Sequence, residues 1–159
     1  MKIVECQFSL SRHIDQITDV LKANSEIRLI ILDPLSAFLG VKDSHRDSDV
    51  REVLRPLSQM AADYGVTVIG IVHLNKTQSS DPIARFIGST GIIASARSAY
   101  LVHGDDDEWV FLPVKSNLAE PRKGLKYRIN SVELPDGIST SCIEWLGETD
   151  KDAFEVLAP

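Results

Sequence analysis

Two short apolar runs in this sequence end in side chains able to do chemistry. Arg28-Leu-Ile-Ile-Leu-Asp33 closes four consecutive apolar residues with a carboxylate, and Val66-Thr-Val-Ile-Gly-Ile-Val72 leads into His73-Leu-Asn-Lys76. A carboxylate at the end of an apolar strand costs several kcal/mol to desolvate unless it meets a cation or good donors. In phosphate-transfer enzymes such a position holds Mg²⁺ or its water. A structural role is the alternative, with Asp33 capping the loop that follows together with Ser36. His73, Asn75 and Lys76 are polar groups suited to sensing a terminal phosphate or an attacking water, the alternative being a solvated loop. If both strand ends lie at one sheet edge, the combination is a candidate nucleotide site.

The elements needed to bring them together are legible. Continuous apolar runs of this length read as strands buried on both faces, the habit of parallel sheets. Pro34 disfavours helical geometry at Asp33, which extends the first strand up to that residue. Between the two runs, Asp49 resembles an N-cap with Glu52 completing a capping box. Val50, Val53, Leu54, Leu57, Ala61 and Tyr64 then follow on one helical face. Pro56 inside that helix predicts a bend or restart, and Gly65 ends it. Strand, helix, strand predicts a parallel βαβ unit whose strands finish at the same edge, where ligands of open α/β sheets bind.

Upstream, residues 13–24 place Ile14, Ile17, Val20 and Leu21 at helical spacing, while residues 40–48 are polar and turn-prone. Downstream, Ala99–His103 and Trp109–Lys115 read as strands joined by an acidic turn. Leu125–Val132 alternates as a half-buried strand and turns through Leu134-Pro-Asp-Gly137 into Ile138–Trp145. The fold class is therefore α/β, a partial core of parallel strands with flanking helices, extended by C-terminal antiparallel hairpins. One domain spans 1–159, with an N-terminal strand and helix in 1–26, the βαβ core in 27–97 and the hairpins in 98–147. Trp109 and Trp145 read as packing residues, since no basic neighbours interleave with them.

The 159 residues carry 17 Lys and Arg against 23 Asp and Glu, a formal charge of −6. That balance disfavours a stand-alone DNA clamp, which would carry a basic stripe. Cys6 and Cys142 are too few and too distant for a disulfide framework or a zinc site. The start, MKIVECQFSL, lacks the pattern of a secretory signal, and no apolar run is long enough to span a membrane. A cytoplasmic protein is expected.

In order along the chain, four segments resemble RecA-type ATPases, specifically the RepA-like hexameric replicative helicases. LIILDPLSAFLG resembles their Walker B segment and VIGIVHLNK the following strand with its histidine sensor. ARFIGSTGIIASARSAYLV, with Gly88, Ser89 and Arg97, resembles the next segment, and PVKSNLAEP the late Lys-x-Asn motif. The resemblance implies that Asp33 holds the magnesium shell, with Ser36 beside it, and that His73 senses the γ-phosphate with Asn75 and Lys76 as neighbouring contacts. It further implies that Arg97 is an arginine finger presented to the next subunit, and that Lys115, with Asn117, reaches across the same boundary. ATP and Mg²⁺ would be the cofactors of the complete domain, in a homo-oligomeric ring or filament that alone engages DNA during replication.

One expected motif is absent: none of the nine glycines is followed by lysine, so the phosphate-cradling G-x-x-x-x-G-K-[ST] does not occur. The chain is therefore expected to correspond to the C-terminal part of an ATPase domain and to be unable to hydrolyse ATP alone. A P-loop-bearing N-terminal half is an expected partner. Missing strands would leave an exposed edge and apolar surface, favouring self-association or cover from Lys2–Cys6. A non-catalytic remnant acting in assembly or regulation, or a recombinase-type RecA relative, are the alternatives.

Overall fold

A computed structural model describes residues 8–40, 47–73, 90–104, 108–118, 120 and 123–157. The chain divides into two compact units, Met1–Ser95 and Ala96–Pro159.

The first unit is built on leucines. Helix α1 (Leu10–Ala23) leads into β1 (Leu29–Leu32), a short α2 (Ser36–Leu39), α3 (Asp47–Tyr64), β2 (Thr67–Gly70) and α4 (Thr90–Ser95). β1 and β2 pair in parallel, Leu29 opposite Thr67 and Leu32 opposite Gly70, as the βαβ reading expects. Leu10, Leu21, Leu32, Leu35, Leu39, Val50, Leu54, Leu57, Met60 and Val66 form one buried cluster. Ile30, Val68 and Val72 pack on it from the sheet.

Several expectations are corrected. The strands are not buried on both faces: Ile31 is 57% exposed and Ile69 46%, with Leu29 and Ile71 also open. An apolar run satisfies a core on one side of the sheet as well as on two, so the run alone does not count layers. Helix α1 begins three residues early, at Leu10, and passes non-helical geometry at His13, whose Nδ1 accepts the Ser9 N–H at 2.9 Å. Val20 lies exposed rather than on the packed face. Helix α3 begins at Asp47, so Asp49 sits in its first turn rather than at the cap. It also runs unbroken through Pro56, with Leu54 and Leu57 buried on either side. That packing offsets the hydrogen bond the proline removes. Gly65 ends the helix at φ 61°.

The second unit is a four-stranded antiparallel sheet in the order β3 (Ser98–Gly104), β4 (Trp109–Ser116), β5 (Gly124–Glu133), β6 (Ser139–Thr149), followed by α5 (Ala153–Leu157). The Leu134–Gly137 turn closes as expected: Leu134 N–H donates to the Ile138 carbonyl at 2.9 Å, and Gly137 takes φ 72°. Leu101, Val110 and Leu112 on one sheet face are buried, as are Ala153 and Leu157. The opposite face carries an aromatic row in which Tyr127 lies 6.2 Å from Trp109 and 5.4 Å from Trp145 between ring centroids. Only Tyr127 of the expected inward set on β5 is buried. Leu125 and Ile129 are exposed, and Trp145, expected to pack, is 56% exposed.

The expected Lys2–Cys6 strand and the 41–46 part of the polar loop lie outside the described residues, as do Gly88, Ser89 and most of the acidic turn. No described helix is long and apolar enough to cross a membrane.

Candidate functional site

Asp33 follows the last paired residue of β1, and hydrogen bonds fix where it stands. Ile71, just past β2, donates its N–H to the Leu32 carbonyl at 2.9 Å. Its own carbonyl accepts the Leu35 N–H at 2.8 Å. Asp33 and Pro34 are thus clamped between two bonds to one residue, two positions before His73. Both side chains stand at the carboxyl edge of the parallel pair, where open α/β sheets place their ligands. Leu35 packs over β2 so closely that a Cβ on Gly70 would lie 3.0 Å from Leu35 Cδ2, which makes glycine the fitting residue there.

Asp33 is exposed. The expected desolvation cost is therefore absent, and the functional reading of this carboxylate rests on position, not on burial. Among the described residues, its oxygens have no hydrogen-bond or ion-pair partner, and His73 is likewise exposed. Ser36, opening α2, is exposed three residues beyond Asp33, while Leu35 and Leu39 anchor the turn in the core. Asn75 and Lys76 lie outside the described residues. No group of three or more His, Cys, Asp or Glu able to hold a metal ion occurs among the described residues. Asp33 is one hard oxygen donor, not a cage.

The second unit gathers the remaining candidates. β3 and β4 set Ala99 opposite Lys115 and Ser98 opposite Ser116, with a bulge at Ala99/Tyr100. Beyond that pairing, Asn117 N–H donates to the Arg97 carbonyl at 2.9 Å, and Lys115 Nζ donates to the Ala96 carbonyl at 2.8 Å. Arg97, Lys115 and Asn117, up to twenty positions apart in sequence, therefore sit at one end of one hairpin. The Arg97 side chain is exposed, whereas Lys115 is half-buried and tied to its own backbone neighbourhood. Two oppositely charged sets result, a carboxylate with an imidazole in the first unit and two cations in the second.

One contact carried no sequence signal beyond a polar loop. Asp47 Oδ1 accepts the Gly91 N–H at 3.0 Å, joining the start of α3 to α4 across 44 positions. In the second unit Glu108 draws together Lys126 at 3.8 Å and Lys151 at 3.5 Å.

Among known protein families, one described as an AAA domain matches residues 5–79. That span contains Asp33 and His73 and stops before Arg97. The match supports an ATPase domain of the P-loop kind, a class that generally uses ATP and Mg²⁺. No curated protein matches the chain.

Proposed function

We propose that this chain supplies the Walker B and trans-acting portion of a RecA-type ATPase of the RepA-like helicase branch, working in DNA replication as part of a larger assembly. The observation that carries the reading is the double hydrogen bond of Ile71 to Leu32 and Leu35, which stations Asp33 at the edge that also bears His73. The similarity of residues 5–79 to an ATPase-type domain supports it.

Magnesium prefers hard oxygen donors and keeps several waters when bound. A lone exposed carboxylate fits that shell as one direct or water-mediated contact. The triphosphate does not fit the described residues unaided, since they form no amide cradle and the chain has no Gly-Lys pair. The ion, when bound, neutralises charge on the phosphates. Asp33 would hold the ion directly or through water, and His73 places a hydrogen-bonding group at the same edge, with Ser36, Asn75 and Lys76 close to these two residues in sequence. Arg97 supplies a fixed positive charge to a neighbouring subunit's nucleotide, its backbone held by Asn117 and by Lys115 through Ala96. A finger donated in trans requires an oligomer, because half of each site belongs to a neighbour.

Phosphate release from Mg²⁺-ATP, measured on the full chain with and without a chain carrying the G-x-x-x-x-G-K-[ST] loop, tests this. The expected result is turnover only in the mixture, abolished by Asp33→Asn and lowered about 10³-fold or more by Arg97→Ala. The open face of Leu29, Ile31, Ile69 and Ile71 favours a second reading, a non-catalytic assembly subunit. Stable association without turnover is the outcome that selects it.

A further inference from the structure

Arg97 and Lys115 stand at one end of the β3–β4 hairpin, yet their charged groups are placed differently. Arg97 is exposed, and among the described residues its guanidinium has no hydrogen-bond or ion-pair partner. Lys115 is half-buried, and its Nζ donates to the Ala96 carbonyl at 2.8 Å. Its backbone pairs with Ala99, so the side chain reaches back along the partner strand to a carbonyl just before β3 begins. The next carbonyl, that of Arg97, accepts the Asn117 N–H at 2.9 Å. Each carbonyl belongs to one of the two planar peptides that flank the Arg97 Cα. Both planes are therefore held from the end of β4, one by a side chain and one by the main chain.

We infer that Lys115 is a positioning residue, which fixes the backbone from which Arg97 projects and does not itself contact the neighbouring subunit's nucleotide. The inference rests on the trans-acting reading of Arg97 and deepens it, since one cation instead of two crosses the boundary. A group that acts on a neighbour needs a free head on a fixed base. Arg97 has both. Lys115 would have to break its bond to Ala96 to reach outward, leaving a half-buried carbonyl without its donor. Lysine suits the bracing role, because a flexible four-carbon stem supplies the reach and a single acceptor satisfies the geometry. Asn117 contributes through its main chain, so its exposed side chain plays no part in the brace.

Two measurements on the full chain alone test the brace. Acetylation by an N-hydroxysuccinimide ester, read residue by residue by mass spectrometry, should modify Lys115 about tenfold or more slowly than Lys22, Lys123 and Lys151. Those three side chains are 60%, 56% and 55% exposed. Lys115→Met should speed hydrogen exchange at the Asn117 amide about tenfold or more, and Lys115→Arg should restore it. Should Lys115→Met disturb folding, acetylation of the unsubstituted chain decides. A third measurement uses the mixture with a chain carrying the phosphate loop. There Lys115→Met should lower kcat, leave KM for ATP unchanged, and cost nothing further once Arg97 is alanine. Acetylation of Lys115 as fast as the exposed lysines overturns the inference, as does unmoved exchange at Asn117 or a raised KM. An absence of turnover in every mixture instead overturns the ATPase reading beneath it.

Discussion

Among the described residues of the first unit, a sheet of two four-residue strands rests on leucine side chains from three helices, and Leu29, Ile31 and Ile69 on its other face are exposed. In residues 96–157 four longer strands hold one another through backbone ladders, with a small apolar cluster on one face and an aromatic row on the other. The first region owes its shape to burial on one side. The second owes its shape mainly to hairpin register. The chemistry divides in the same way: strand ends station a carboxylate and an imidazole in one unit, and a hairpin's open end gathers arginine, lysine and asparagine in the other.

The sharpest way to break this contrast lies in two adjacent residues of β1. Leu32→Ala, at a 6% exposed position, should cost about 2–5 kcal/mol by chemical denaturation. Ile31→Ala, one residue earlier on the exposed face, should fall within about 0.5 kcal/mol of the unsubstituted chain. Equal costs would mean that both faces are covered in solution.

A smaller effect separates hairpin geometry from packing in the second region. Gly137→Ala meets no atom within 4 Å, yet the residue sits at φ 72°. It should cost about 1–2 kcal/mol through backbone strain alone, with hydrogen exchange accelerating in β5 and β6. A loss spread evenly over both units would contradict their separate description.

The mildest test is alkaline. Burial raises the Tyr127 phenol above its ordinary pKa of 10.0. Its protonated form is favoured by the fold, so this contribution is complete below about pH 10 and is lost as pH rises through the folded-state value. Tyr127→Phe should flatten the alkaline fall in stability of the second unit. An unchanged pH profile would place the cause on another group.

Much of this architecture was legible in the sequence, for physical reasons that also mark the limit. Apolar runs located β1 and β2, and their spacing around a helix gave the parallel pairing. Alternation with Leu-Pro-Asp-Gly located the β5–β6 hairpin. The open sheet face was not legible in the runs themselves, because Leu-Ile-Ile-Leu reads alike under one layer or two; the missing phosphate loop and its strands were the signal for exposed apolar surface. Helices α2 and α5 span four and five residues, too few for a helical period to register. The Asp33–His73 edge followed from topology, but the exposure of Asp33 did not, since exposure depends on what covers the edge. That Arg97 and Lys115 share one end of a hairpin followed from its two strands, but the pairing of Ala99 with Lys115 includes a bulge at Ala99/Tyr100 that no turn signal announces.

The central claim is that Asp33 and His73 occupy one edge able to receive a divalent ion. Amide line broadening by Mn²⁺ measures it directly, by comparing the chain with Asp33→Asn. The account predicts that the substitution relieves broadening at Leu32–Leu35 and at Ile71–His73 together. Relief confined to Leu32–Leu35, or none at either strand end, would contradict it.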